Sequence, residues 1–148
     1  MPQIPLHYVD LRTFCYATED EKRVEEALRT FLPDDDEPFE IDRVESEGHY
    51  GDRILVLSAR VENADDVRHV LSRLADLEEF ETLIDELDER VTENTELFLR
   101  LDKQAAFKDK VRLGDGITFR AKVEAYPAKK ARAVENAEEV LERLRDEE

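Results

Sequence analysis

In the stretch Leu97-Phe98-Leu99-Arg100-Leu101, leucine alternates first with an aromatic residue and then with a basic one. This period of two predicts a β-strand, because successive side chains of a strand point to opposite faces of a sheet. The three leucines then face a core, while Phe98 and Arg100 share the other face. A strand with this pattern belongs to a sheet that is covered on one side only.

Related patterns extend outward from this strand in both directions. Further strands are predicted at residues 6–17, at a second strand that Phe39 and Ile41 start, at 55–61, and as two hairpin arms at 111–113 and 117–123. In the first of these, Tyr8, Arg12, Phe14 and Tyr16 share one face. One helix is predicted to open at the capping-box pair Thr18 and Glu21, and another after Asn63, with a break between Ala75 and Glu78. A last helix is predicted from Pro127. Its inward positions are Ala131, Val134, Ala137, Leu141 and Leu144. This order predicts an α+β fold in which residues 1–148 form a single domain, with a mixed or mostly antiparallel sheet and helices packed on one face.

The predicted hairpin places like charges opposite each other. Its arms are joined by residues 114–116, and a simple register sets Lys110 opposite Arg120 and Lys108 opposite Lys122. Like charges directly across a ladder are destabilising. A bound polyanion would relieve that repulsion.

Charge is distributed very unevenly along the chain. The sequence has 39 acidic and 22 basic residues and a net charge of −17, yet residues 100–132 carry ten basic side chains and four acidic ones. So acidic a composition indicates a cytoplasm with a high salt concentration. Molar salt shortens the Debye length to about 3 Å and screens the repulsion between the acidic side chains. The basic segment predicts a surface that binds an anion.

Cations and aromatic rings from this segment are predicted to share the uncovered face of the sheet, namely Phe98, Arg100, Lys110, Arg112, Arg120, Lys122 and Tyr126. Such a mixture is typical of RNA-binding sheets, where cations contact phosphates and rings stack on unpaired bases. Stacking should matter as much as charge here, because salt weakens phosphate contacts more than it weakens stacking. The predicted RNA-binding residues are Phe98, Arg100, Lys103, Gln104, Lys108, Lys110, Arg112, Arg120, Lys122, Tyr126, Lys129 and Lys130. The alternative is a protein–protein module or a homodimer that uses the same face.

One family resemblance covers nearly the whole chain. It is carried by residues 97–107, whose most specific part runs from Leu99 to Gln104, together with the segments 48–51 and 124–127. In these the sequence resembles archaeal RNA-binding proteins that have been predicted to be exosome subunits. The resemblance implies an α+β fold like that of a ribosomal protein that binds ribosomal RNA, and a role in an RNA-processing complex. It also marks the loop residues His49 and Tyr50 as candidates, although Asp52-Arg53 stands where the family suggests an asparagine–proline pair.

Catalytic and cofactor signatures are not found in the sequence. The three histidines are scattered without metal-ligand spacing, and the segment 48–51 lacks the spacing of a phosphate-binding loop. Cys15 lies in an apolar strand pattern and is predicted to pack in the core. We therefore predict a protein that is not an enzyme, has no cofactor or metal, does not enter a membrane, and works in the cytoplasm.

Overall fold

The computed structural model describes residues 4–33, 39–47, 51 and 53–147. Its centre is a five-stranded antiparallel sheet with the strand order β2-β3-β1-β5-β4. The strands are β1 (Leu6–Tyr16), β2 (Asp42–Glu47), β3 (Arg53–Val61), β4 (Glu96–Asp102) and β5 (Gly116–Val123). The predicted α+β fold with a mostly antiparallel sheet is confirmed.

Helices cover one face of this sheet. They are α1 (Glu21–Arg29), α2 (Ala64–Leu74), α3 (Phe80–Asp85), α4 (Leu87–Arg90), α5 (Lys103–Ala106) and α6 (Lys130–Asp146). Each long helix buries an apolar stripe, as the spacing of Val24, Ala27 and Leu28 in α1 shows. These stripes pack against alternate strand residues in one core cluster. The other face of the sheet is left uncovered by these helices.

The helix ends follow capping chemistry, with some shifts from the predictions. Asn63 caps α2 as predicted, since its side chain accepts a hydrogen bond from the Asp65 amide. The cap of α1 is Asp20 rather than Thr18. The last helix begins at Lys130 rather than at Pro127. Its first inward alanine is Ala133, whereas Ala131 is exposed.

The predicted hairpin is wrong. Residues 103–106 form α5 because Asp102 caps it, accepting hydrogen bonds from the Gln104 and Ala105 amides. The following loop returns to β4 through one isolated bridge between Leu101 and Leu113, so no 111–113 arm pairs with β5. Strand β5 lies between β1 and β4 instead.

The charge pairs inferred from that hairpin are therefore wrong as well. Arg120 stands opposite Asp10 on one side and Phe98 on the other. Lys122 stands opposite Tyr8 and Glu96. Each cation thus faces an acid across the sheet, so the like-charge argument for a bound polyanion no longer holds. The second strand, which Phe39 and Ile41 were predicted to start, begins at Asp42 instead.

Candidate functional site

The uncovered face of the sheet, called the open face below, carries the outward residues of all five strands. Two cross-strand rows lie at its centre, set by the antiparallel registers. One row runs through Arg60, Asp10, Arg120 and Phe98, and its neighbour runs through Asp42, Ser58, Arg12, Thr118 and Arg100. Cations and aromatic rings thus meet in the middle of a face that no helix covers in the described part of the chain.

Asp10 organises the first row. Its carboxylate accepts hydrogen bonds from Nε and Nη2 of Arg60 at 2.8 and 2.9 Å, and from Nη2 of Arg120 at 2.7 Å. The Tyr8 ring contacts both guanidinium groups, with centroid distances of 4.2 Å to Arg60 and 5.8 Å to Arg120. Two arginines are therefore held in fixed positions on the open face by one acid and one ring.

The pKa values in this cluster follow from those contacts. Burial alone would raise the pKa of Asp10, but the hydrogen bonds and charges of Arg60 and Arg120 outweigh it, so the pKa lies below its ordinary value. The hydrogen bond to Asp10 raises the pKa of both arginines. The cluster is therefore fully charged at neutral pH.

An Asp10→Asn substitution tests this pairing through pH. A depressed carboxyl pKa adds stability above the unfolded-state value of about 3.9, and this stability is lost as pH falls through the folded-state pKa. The variant should therefore melt at a lower temperature than the parent protein near pH 6, and this difference in melting temperature should disappear near pH 2. Thermal unfolding at both pH values measures this. An equal difference at both would show that the carboxylate charge is not what stabilises the cluster.

Arg12 differs from its neighbours because it is exposed and no carboxylate lies within salt-bridge distance of it among the residues that the structure describes. Its guanidinium lies over the Phe14 ring, 5.2 Å from the centroid. The Phe14 ring is in turn tilted against that of Tyr16, with the centroids 6.4 Å apart. Arg12 is thus a cation that remains available to a ligand, next to a ring that could stack on one.

Two shallow depressions lie side by side on the open face and share Thr118. The first, of about 550 Å³, is lined by Asp10, Leu11, Arg12, Asp42, Ser58, Ala59, Arg60, Phe98, Thr118 and Arg120. The second, of about 540 Å³, is lined by Phe14, Tyr16, Thr18, Glu19, Arg100, Lys103, Gln104, Asp115, Gly116 and Thr118. Together they form a track across the sheet with arginines and aromatic rings in both halves.

Four of the predicted binding residues lie on the open face, namely Phe98, Arg100, Arg120 and Lys122. Phe98 is 38% exposed. The three cations are already engaged: Arg100 with Asp115 at 3.1 Å, Arg120 with Asp10 and with Glu96 at 3.7 Å, and Lys122 with the Asn94 carbonyl. The Arg100–Asp115 pair is exposed on both sides, so it is weak enough to exchange for a phosphate.

A contact with RNA would require an exposed Lys103, but this side chain is buried. It is only 7% exposed, and its ammonium donates to the Phe14 carbonyl at 2.6 Å and to Glu19 Oε1 at 2.8 Å. Gly116, with a φ of +111°, leaves room for the lysine stem, since a Cβ there would lie 2.5 Å from the Lys103 Cβ. Lys103 joins α5 to β1, and its neighbour Gln104 is exposed beside the second depression.

The remaining predicted residues are dispersed. Lys108, Lys110 and Arg112 lie in the loop after α5, where Arg112 pairs with Glu78 at 3.3 Å, rather than on a strand of the open face. Tyr126 is 81% exposed beyond the end of β5, and Lys129 and Lys130 lie at the start of α6. His49 and Tyr50 fall outside the described residues. The predicted gathering of Lys110 and Arg112 with the strand cations is wrong, because it depended on the absent hairpin.

Sequence reasoning overlooked the β1 and β3 contribution to the open face. Arg12, Phe14 and Tyr8 come from β1, whose outward pattern was visible, and Arg60 comes from β3. A charge sum over neighbouring residues could not find them, because they lie far in sequence from residues 100–132. The useful signal was the alternation of aromatic and basic residues within β1 itself.

The described ranges contain neither a cluster of metal ligands nor a membrane-spanning helix. No group of three or more histidine, cysteine, aspartate or glutamate side chains there could hold a metal ion. Cys15 is buried, and burial raises the pKa of its thiol. No helix in the described part of the chain has the length and apolar character needed to cross a bilayer.

Comparisons with known proteins give consistent matches. A family model described as RNA binding matches residues 8–123. RNA-binding protein PAB1135 of Pyrococcus abyssi is 35% identical over 148 aligned residues, which cover 95% of this chain and 96% of that protein. Protein Mth689 of Methanothermobacter thermautotrophicus, a DUF54 protein of known structure, is 40% identical with a TM-score of 0.77, covering 92% and 98% of the two chains. Protein AF2318 of Archaeglobus fulgidus, of the same family, is 29% identical with a TM-score of 0.80, covering 91% and 99%.

Proposed function

This chain belongs to the RNA-binding family, and we propose that it binds unpaired RNA through the open face of its sheet and catalyses no reaction. The observation that carries the proposal is the track formed by the two depressions. In it, Arg12 lies over Phe14, and Arg60, which lines the first depression, lies over Tyr8 beside the track. None of the described helices covers this surface. Rings and guanidinium planes of this kind can stack on splayed bases while the cations contact phosphates.

The charge of the open face favours a mode of binding in which stacking dominates. Its strands present the cations Arg12, Arg60, Arg100, Arg120 and Lys122, and the carboxylates Asp10, Asp42 and Glu96, with Asp102 at the margin. This face is therefore close to neutral on a chain whose net charge is −17. A strand of RNA meets little repulsion here, but it gains less from phosphate contacts than it would on a strongly basic surface.

Unpaired RNA suits the open face better than a duplex does. The face is a sheet with rings spread across it, whereas double-stranded RNA is recognised through its shape and its backbone. An accessory role in RNA processing or exosome-type degradation would use this same surface and leave the chemistry to another protein. A docking site for an acidic protein is the competing use of the face.

Charge reversal at Arg12 tests the proposal. Fluorescence anisotropy with an unstructured oligoribonucleotide should show weaker binding by Arg12→Glu, and the slope of log affinity against log salt should fall by about 1. The matched control is Arg132→Glu on α6, which makes the same charge change beside Glu135 on the helical side. Equal losses in both variants would show that overall charge, and not the open face, governs binding. No RNA affinity in the parent protein at any salt concentration would overturn the proposal.

A further inference from the structure

Strand β2 forms one edge of the sheet and is unusually accessible. All six of its residues are exposed, and Val44 is 60% exposed. Within the part of the chain that the structure describes, β3 is the only strand that pairs with β2. Edge strands present a row of unpaired backbone N–H and C=O groups, which are able to pair with another chain.

We propose that two copies of this chain pair through β2, antiparallel, about a two-fold axis at Val44. In this register Val44 lies opposite its own copy. Arg43 lies opposite Glu45 of the partner subunit, and the same pair recurs on the other side of the axis. The edge is thus complementary to itself in charge, as a two-fold interface requires.

Neighbouring registers lack this complementarity. Directly opposed residues of an antiparallel pair lie on the same side of a sheet, so the two-fold axis can move only from one residue to the next. An axis at Arg43 places Arg43 opposite its own copy, and an axis at Glu45 places Glu45 opposite its own copy. Both shifts set like charges directly across the ladder, which is destabilising. The Val44-centred register avoids such pairs along the whole of β2.

The orientation of the side chains is compatible with the pairing. Arg43 and Glu45 both lie on the helical side of the sheet, where Arg43 bonds Glu21 and Glu25 of α1 and Glu45 bonds Arg53 at 2.6 Å. A guanidinium has five donors, so Arg43 can keep its bonds to α1 while it meets another carboxylate. The charges needed at the interface are thus held at the edge by contacts within each chain.

The apolar residues on the open-face side of β2 favour the same partner, a second copy of this chain. Val44 begins a row on the open face that continues through Val56 to Phe14, and both of these side chains are half-buried. Pairing would cover the exposed end of this row with its own copy. The axis would be perpendicular to the sheet, so both open faces would lie on the same side of one continuous sheet. The pairing itself does not depend on what the open face binds.

Sedimentation equilibrium of the full chain tests the pairing. A contact through one short strand is at the weak end of interface sizes, so the series should reach about 0.5 mM protein. The buffer should contain about 1 M KCl, where the Debye length is about 3 Å and the repulsion between two chains of net charge −17 is screened. The expected result is a concentration-dependent dimer. A monomer throughout the series would overturn the proposal.

Three variants test whether the dimer forms through β2. Glu45→Arg places an arginine opposite the partner's Arg43 twice per dimer, and should raise the dissociation constant about tenfold. The charge swap Arg43→Glu with Glu45→Arg should restore it, and Val44→Lys should abolish dimerisation without unfolding the chain because Val44 is 60% exposed. The matched control Glu135→Arg on α6 should leave the constant unchanged. A dimer that survives both Glu45→Arg and Val44→Lys would overturn the proposal, and melting temperatures identify any variant that fails to fold.

These measurements need no RNA, so their outcome is separate from that of the RNA-binding experiment. A monomeric Glu45→Arg variant should bind a short oligoribonucleotide no more weakly than the parent protein does, because Glu45 lies on the helical side of the sheet and outside both depressions. Its loss of affinity should be confined to RNA long enough to reach both copies, since linked sites raise the effective concentration.

Discussion

Replacing Lys103 with methionine is expected to lower the free energy of unfolding by about 2–4 kcal/mol, because removing one partner of a buried ion pair leaves the other uncompensated. The substitution deletes the donor to the Phe14 carbonyl and to Glu19. Glu19 is partly exposed and recovers some hydration, which keeps the loss below that of a fully buried pair. Urea denaturation of both proteins measures the difference.

The matched control for that experiment is Lys110→Met, in the exposed loop after α5. Its unfolding free energy should stay within about 0.5 kcal/mol of the parent value, as is usual for surface substitutions. The double variant Lys103→Met with Glu19→Leu should recover part of the lost stability, since no charge is then left unpaired. A Lys103→Met protein as stable as the Lys110→Met protein would contradict the structural role given to Lys103.

The second large effect is expected on RNA affinity. Phe14→Ala and Phe98→Ala should each weaken binding of an unstructured oligoribonucleotide between about fivefold and a hundredfold, because base–aromatic stacking contributes ~1–3 kcal/mol per base. The two rings belong to different depressions, so their losses should be close to additive. Anisotropy titrations at low salt and near 1 M salt measure both.

Salt separates the roles of the rings and the cations in these titrations. The factor lost in Phe14→Ala should be nearly the same at both salt concentrations, whereas the factor lost in Arg12→Glu should shrink as salt rises. Tyr126→Ala is the matched aromatic control, because its ring is 81% exposed but lies beyond the end of β5. A greater loss from Tyr126→Ala than from Phe14→Ala would place the stacking surface outside the open face.

The fold was predictable where a residue's role depends on its sequence neighbours. The alternation of Leu55, Leu57 and Ala59 identified the inward face of β3, and Asn63 identified the start of α2. The hairpin failed because the segment 111–113 carries a short strand-like pattern while Asp102 caps a helical turn just before it. Because of this capped turn, the following loop does not pair with β5. No local periodicity in the sequence indicates the turn.

The site was harder to predict because it depends on which strands become neighbours. A charge sum along residues 100–132 groups Lys108 with Lys122, although the fold places one in a loop and the other on the open face. It also counts Lys103 as a surface cation, since its partner Glu19 lies 84 positions away in the sequence. Arg12 and Arg60 were missed for the same reason, because only the pairing of β1 with β3 and β5 brings them beside Arg120.

Amide chemical-shift mapping would show whether RNA lies on the open face. An unstructured oligoribonucleotide is titrated into the ¹⁵N-labelled full chain, and the residues whose signals move are located on the structure. We expect the largest shifts in β1 and β5 around Arg12, Phe14 and Thr118, which line the two depressions. Shifts confined to the loop after α5 and to the start of α6, around Lys108 and Lys129, would contradict this expectation.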